Sequence, residues 1–310
     1  MTEGRVAFCF PGQGSQEVGM GRAMSEAFPA ARAVYERAAD AVGYDIADLC
    51  FEGPIERLSE TEVTQPALVT TELACLAGLT GAGLAPDYVV GHSVGEYAAL
   101  AAAGSIDDRT AAHLTHERGI ATAAAAVASP GAMAAVIGLA DAEIERLCDG
   151  IEGVWAANYN CPGQVVVSGT LDGVAALMTA AEEAGARRAI KLKVSGGFHS
   201  PLTALAAEQL APVLESTVFS EPRVPFFSTV TCRLEGAREI VPILLQQLTA
   251  PVRFTQAVTA LRDLGARTFI EVGPGNVLSG LIRRIDKSLA AVSVSGPDDI
   301  DRARELMANA

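Results

Sequence analysis

Asp87-Tyr88-Val89-Val90-Gly91-His92-Ser93-Val94-Gly95-Glu96, followed by the alanine-rich Tyr97-Ala98-Ala99-Leu100-Ala101-Ala102-Ala103, is the stretch that decides the fold. Asp87 to Val90 reads as a short buried strand, and Tyr97 to Ala103 reads as a helix. Strand, Gly-x-Ser-x-Gly and helix, in that order, is the context of a nucleophile elbow. The flanking glycines allow a turn so sharp that the serine oxygen is pushed into the open, and they leave room for a substrate to approach. Ser93 is therefore the candidate nucleophile. The plain alternative is an ordinary turn serine.

Outward from the elbow the same alternation continues. Val6 to Phe10 is an apolar strand, followed by the loop Pro11-Gly12-Gln13-Gly14-Ser15-Gln16. A helix is expected over Arg22 to Ala41. Pro66 suits the first turn of another, running to about Thr80. A long helix from Asp107 to Ala128 is expected next, capped by Asp107 or Asp108. Later strands are expected at Val224 to Phe227, Thr268 to Val272 and Ala290 to Val294. Helices alternating with short apolar strands predict an α/β fold with a mostly parallel sheet.

Residues 129–197 break this rhythm. Ala132 to Leu139 reads as a strand, Asp141 to Cys148 as a helix capped by Asp141, and Val154 to Asn158 and Gln164 to Gly169 as strands around a Pro162-Gly163 turn. Asp172 to Ala184 then reads as a helix and Arg188 to Val194 as a strand. The order β-α-β-β-α-β is that of a ferredoxin-like unit. The expected organisation is a large α/β subdomain over 1–128 and 198–310, with a ferredoxin-like subdomain inserted at 129–197.

The 310 residues are 50% hydrophobic and 19% charged, which describes a globular chain with a substantial core. A formal net charge of -14 argues against a general binder of nucleic acid or anionic membrane. Cys9, Cys50, Cys75, Cys148, Cys161 and Cys232 contain no metal-knuckle or C-x-x-C spacing and read as reduced core residues. With no signal peptide and no apolar run long enough for a membrane span, a cytoplasmic location is expected.

A serine hydroxyl needs a base. The histidines are His92, His113, His116 and His199. His92 adjoins Ser93, so its ring is expected to diverge from it and to support the turn. His113 and His116 share one helix without a metal-site pattern and read as surface or packing residues. His199, in Gly196-Gly197-Phe198-His199-Ser200-Pro201, is the better base, with a helix-capping role as its alternative. Acyl transfer also needs main-chain N–H groups aimed at an oxyanion. Val94, after the nucleophile, and the Gly12-Gln13-Gly14 loop are placed to supply them. Neither that loop nor Gly273-Pro274-Gly275 has the glycine spacing of a dinucleotide fingerprint.

Phe10-Pro11-Gly12-Gln13-Gly14-Ser15-Gln16, Gly91-His92-Ser93-Val94-Gly95-Glu96, Asn160-Cys161-Pro162-Gly163-Gln164-Val165, Gly197-Phe198-His199-Ser200 and Glu271-Val272-Gly273-Pro274-Gly275 together resemble the malonyl-CoA:acyl-carrier-protein transacylase family, which includes acyltransferase domains of polyketide and fatty-acid synthases. The resemblance implies a ping-pong transfer of malonyl from malonyl-CoA to the phosphopantetheine thiol of an acyl carrier protein. It implies an α/β fold with a hydrolase-like core and an inserted ferredoxin-like subdomain, no cofactor and a monomeric enzyme. It makes Ser93 the acylated nucleophile, His199 the base, and Gln13 and Val94 the oxyanion donors. Arg118 is implied as the partner of the malonyl carboxylate, with Phe198 and Gln247 at the substrate. Without the resemblance, Arg118 reads as the partner of a nearby acidic side chain. His199 is implied to be oriented by a backbone carbonyl in the segment of Gln247, and His92 and Asn160 to be supporting residues.

Some positions depart from the family's commonest pattern. Val94 stands where leucine or isoleucine is frequent, Phe254 where tryptophan is, and His116-Glu117 precedes Arg118 in place of the usual pair. Phe198 resembles the malonyl-selective members, whose ring crowds out a branched methyl. Arg187, Arg188, Lys191 and Lys193 form the densest basic cluster and are expected to be a docking edge for the acidic carrier, or else a charged edge that discourages aggregation. A serine hydrolase with the order Ser–Asp–His and a non-catalytic carrier-binding subunit are the competing readings.

Overall fold

Alternate residues of the first strand point into different cores. The computed structural model describes residues 4–308. In β1 (Arg5–Phe10), Val6, Phe8 and Phe10 enter one apolar cluster, while Ala7 and Cys9 enter a second on the opposite face. A strand covered on both sides reads as a continuous apolar run, as β1 does. β1 lies between β2 (Tyr88–Gly91) and β9 (Ala266–Val272), parallel to both. β10 (Ala290–Val294) continues the parallel sheet beyond β9, and β7 (Phe226–Ser228) continues it beyond β2. A short antiparallel edge strand, β8 (Arg233–Glu235), closes the order β10-β9-β1-β2-β7-β8.

The second sheet comes from one contiguous stretch. β3 (Gly131–Ile137), β4 (Val154–Cys161), β5 (Gln164–Thr170) and β6 (Arg188–Lys191) pair in the order β4-β5-β3-β6, all antiparallel. Helices Asp141–Asp149 and Leu171–Glu183 complete the β-α-β-β-α-β succession. One face of this sheet packs Ala134, Val136, Val165 and Val167 against Ile144 and Leu177 of those helices. The other face carries Met133, Ala135 and Val166, with Leu192, Val194 and Phe198 against it. This helix-free face turns toward the large sheet. The seam is stitched where the N–H of Tyr159 donates to the carbonyl of Val252 (2.9 Å) and the N–H of Val252 to that of Ala157 (2.8 Å).

The elements differ from the sequence expectation in a few places. The helix expected over Arg22 to Ala41 is two, Arg22–Ala27 and Pro29–Val42, because Pro29 pushes Phe28 into extended backbone. Pro66 lies inside the helix Thr61–Gly81 rather than in its first turn, so the helix gains the polar turn Thr61–Gln65. Asp141 begins its helix as a helical residue and caps nothing; Ala140 is the cap. Asp107, by contrast, does cap its helix (Asp108–Ala128), accepting from the N–H of Thr110 at 2.7 Å. β6 ends at Lys191, short of Val194. Among the described residues no helix is long and apolar enough to cross a membrane.

Candidate active site

Ser93 sits at the carboxyl end of β2, between the strand and the helix Gly95–Ala102, with φ at 55°. A serine in the left-handed region is strained by about 1–3 kcal/mol and persists only where its surroundings impose the turn. Those surroundings are backbone. A Cβ on Gly91 would lie 2.1 Å from the nitrogen of Glu96, and one on Gly95 would lie 2.2 Å from the carbonyl oxygen of Phe10. No larger residue fits either position, so the elbow glycines are steric necessities.

His199 reaches this serine from across the seam between the two sheets. Its Nε2 is 2.7 Å from Ser93 Oγ. Its Nδ1 lies 2.9 Å from the carbonyl oxygen of Gln247 and 3.2 Å from that of Ala250. Carbonyls only accept, so Nδ1 carries the proton and Nε2 is left as an acceptor facing the serine hydroxyl. His199 itself has φ at 57°, and Ser200 Oγ donates to the carbonyl of Gly197 at 2.6 Å, holding the loop. Burial drives the His199 pKa down to about 3; the Arg118 cation and His92 add to the fall, while the two carbonyls oppose it. The ring is therefore neutral at rest.

Arg118 lies on the buried stripe of helix Asp108–Ala128, between Thr115 and Thr122, and is 4% exposed. Its Nη1 donates to Gln65 Oε1 at 2.7 Å and its Nη2 to Gln247 Oε1 at 3.1 Å; the same Nη2 is 3.4 Å from Ser93 Oγ. The Tyr97 ring centroid lies 5.9 Å from the guanidinium carbon. Among the described residues no carboxylate forms an ion pair with Arg118, and its Nε has no hydrogen-bond partner. The expectation that an acidic side chain neutralises it, the ordinary fate of a buried arginine, is not met. A buried cation beside a nucleophile is left facing neutral amides.

The other expected residues fall around this centre. Gln13 and Val94 both line the cavity, and neither main-chain N–H donates to an acceptor among the described residues. His92 turns away from Ser93. Its Nε2 is 3.1 Å from Asn160 Oδ1 and its ring centroid 5.7 Å from that of Phe254. Burial lowers its pKa, so it too is neutral. Phe198 and Asn160 line the cavity. Gln247 does not. It is fully buried behind Arg118 and touches a ligand only through that guanidinium and His199. His113 and His116 lie outside the cavity lining.

The cavity holds about 220 Å³. Its lining includes the polar groups of Gln13, Ser93, Arg118 and His199, the apolar side chains of Met133, Val166, Leu192, Val194 and Phe198 from one face of the smaller sheet, and Val277, Leu278 and Leu281 from the helix Val277–Ile285. Gln65, in the cavity lining, and Glu96, buried behind it, are not among the residues that the sequence singles out. Glu96 follows the elbow glycine, is fully buried and accepts from the N–H and hydroxyl of Thr229 (both 2.7 Å) and from Gln247 Nε2. Burial pushes its carboxyl up to about 7 against those hydrogen bonds. The one available signal for each is a polar side chain in an apolar helix.

Set at the carboxyl ends of the parallel sheet, the strained serine and its neutral, carbonyl-held histidine are the parts of an α/β enzyme that works through an acyl-serine. The acyl transferase domain family matches residues 7–299. The chain is 42% identical over 308 residues to the malonyl CoA-acyl carrier protein transacylase of Bacillus subtilis (strain 168), covering 98% of this chain and 97% of that one. It superposes with a TM-score of 0.94 and 38% identity on the acyl-carrier-protein-S-malonyltransferase of Bartonella henselae, over 98% of this chain and 99% of that one. The malonyl-transacylase solved in complex with its type II PKS acyl-carrier protein matches at TM-score 0.94 and 38% identity, over 97% of this chain and 99% of that chain. The chain belongs to the malonyl-CoA:acyl-carrier-protein transacylase family.

Proposed function

We propose that this protein moves a malonyl group from malonyl-CoA to the phosphopantetheine thiol of an acyl carrier protein, through an ester on Ser93. Ser93 Oγ attacks the thioester carbon while its proton passes to His199 Nε2, 2.7 Å away. The N–H groups of Gln13 and Val94 receive the oxyanion. The C–S bond then breaks, and the imidazolium returns its proton to the departing thiolate. The carrier thiol next gives its proton to His199 and attacks the ester carbonyl; the C–O bond to Ser93 breaks, and the imidazolium returns the proton to Ser93 Oγ. One thioester replaces another with no change in oxidation state, so the chemistry calls for no redox group.

The observation that carries the reading is Arg118, buried, without an ion pair among the described residues, and 3.4 Å from the nucleophile. A planar guanidinium takes a carboxylate by two parallel hydrogen bonds. Malonyl supplies that carboxylate and acetyl does not. A bound carboxylate also offsets the cation that depresses His199, so the base strengthens when the correct acyl group is seated. For Arg118→Ala, kcat/KM for malonyl-CoA is expected to fall by about 10²-fold or more while acetyl-CoA changes by no more than about threefold, since a buried charged pair is lost only for malonyl. Equal losses for the two thioesters contradict the reading.

The carrier is assigned to the rim formed by β6 and the segment after it. Lys191 and Lys193 are exposed, while Leu192 and Val194 between and after them line the cavity. Arg187 and Arg188 extend this basic edge. The cysteines, all unpaired, suit a reducing compartment, and we place the enzyme in the cytoplasm.

A further inference from the structure

We propose that Glu96 is a positioning residue for acyl selectivity: its carboxylate sets the orientation of the Gln247 amide, which in turn aims Arg118. This rests on the malonyl reading above. The argument is one of donors and acceptors. Gln247 Nε2 has two hydrogens, and both are used: one goes to Glu96 Oε2 at 2.5 Å, the other to the carbonyl oxygen of Ser93 at 3.1 Å. Both partners only accept when Glu96 is ionised, the form that its hydrogen bonds from Thr229, Gln247 and Ser228 favour against burial and that prevails above about pH 7. The amide therefore cannot rotate by half a turn without setting Gln247 Oε1 against two oxygens and its NH₂ against the guanidinium. Held this way, Oε1 accepts from Arg118 Nη2 at 3.1 Å, and Gln65 Oε1 accepts from Nη1 at 2.7 Å.

Glu96 is itself fixed. Its Oε1 accepts from the N–H and Oγ1 of Thr229, both at 2.7 Å, and from Ser228 Oγ at 3.4 Å, at the end of β7 and the loop after it. The chain of contacts runs from that loop through Glu96 and Gln247 to Arg118, and none of Ser228, Thr229, Glu96 or Gln247 lines the cavity. This satisfies a buried carboxylate and a buried guanidinium without letting them meet. Direct pairing would neutralise Arg118 and leave nothing for a substrate carboxylate. One neutral amide between the charges keeps the cation oriented and unpaired.

The test, run at about pH 8 where Glu96 is ionised, compares malonyl-CoA and acetyl-CoA as donors to Ser93 in the wild type, Glu96→Gln and Thr229→Val. The neutral amide that replaces the carboxylate in Glu96→Gln holds Gln247 less firmly. In that variant the ratio of kcat/KM for malonyl to that for acetyl is expected to fall by about tenfold, the worth of one charged hydrogen bond. Acetyl transfer and labelling of Ser93 by a fluorophosphonate should stay within about threefold of wild type. Thr229→Val loosens Glu96 without removing its charge, so the ratio should move the same way by a smaller factor, and this variant decides the matter if Glu96→Gln does not fold. An unchanged ratio, or equal losses for the two donors, overturns the proposal while leaving the malonyl reading intact. A wild type that does not prefer malonyl to acetyl overturns both, and the wild-type measurement alone distinguishes that failure from the first.

Discussion

Ser93 and His199 both occupy left-handed backbone, at φ 55° and 57°. Two such positions facing each other at 2.7 Å are a local cost that the rest of the fold sustains. The effect on chemistry is a neutral imidazole with one tautomer enforced by carbonyls. A pH dependence follows. With its pKa at about 3 rather than near the ordinary histidine value of about 6.5, His199 stays unprotonated as pH falls through the neutral range. The rate of Ser93 labelling by a neutral fluorophosphonate should hold level from about pH 7.5 to about pH 5, and an acid limb centred near 6.5 would contradict this assignment. Stability responds differently. A depressed histidine favours the fold above about pH 6.5, and this contribution is lost as pH falls toward the folded-state value.

Among elements, β6 and its continuation do two jobs by strand alternation. Leu192 and Val194 face the cavity while Lys191 and Lys193 face water, and β6 is an edge strand paired, among the described residues, only with β3. None of Arg187, Arg188, Lys191 or Lys193 makes an ion pair among the described residues, in a chain whose net charge is -14. For Lys191→Glu/Lys193→Glu, KM for carrier protein should rise by about tenfold at low salt and less at high salt, with KM for malonyl-CoA unchanged, because exposed charges act mainly on encounter. Equal effects on both substrates contradict the docking assignment. The helix Thr61–Gly81 shows what sequence conceals at this scale. Pro66 reads as a start signal, so the turn before it, which carries Gln65 to Arg118, falls outside the helix that the sequence predicts.

Over the whole molecule, the parts legible in sequence are those whose chemistry is local. The elbow announces itself in five consecutive residues because strand, turn and helix are adjacent. The apolar run of β1 and the β-α-β-β-α-β succession are legible for the same reason. His199 stands out among the histidines only by its glycine-rich loop, and Arg118 and Gln247 only by resemblance to a family. Their meeting depends on pairings 129 and 106 residues apart along the chain. Glu96 and Gln65 show only as polar residues in apolar helices, since nothing nearby in sequence reveals a partner 151 or 53 residues away. What the fold adds is the seam: the large sheet's strand ends supply the nucleophile and the oxyanion donors, the helix Asp108–Ala128 supplies the cation, and the helix-free face of the smaller sheet supplies apolar lining.

The central claim is that Ser93 carries a malonyl ester between two thiols. Intact-protein mass spectrometry after brief mixing with malonyl-CoA, without carrier protein, measures this directly. The account predicts a single malonyl adduct that maps to the Ser93 peptide, vanishes on adding holo carrier protein and never forms in Ser93→Ala. An adduct at another residue, or the same adduct in Ser93→Ala, contradicts it.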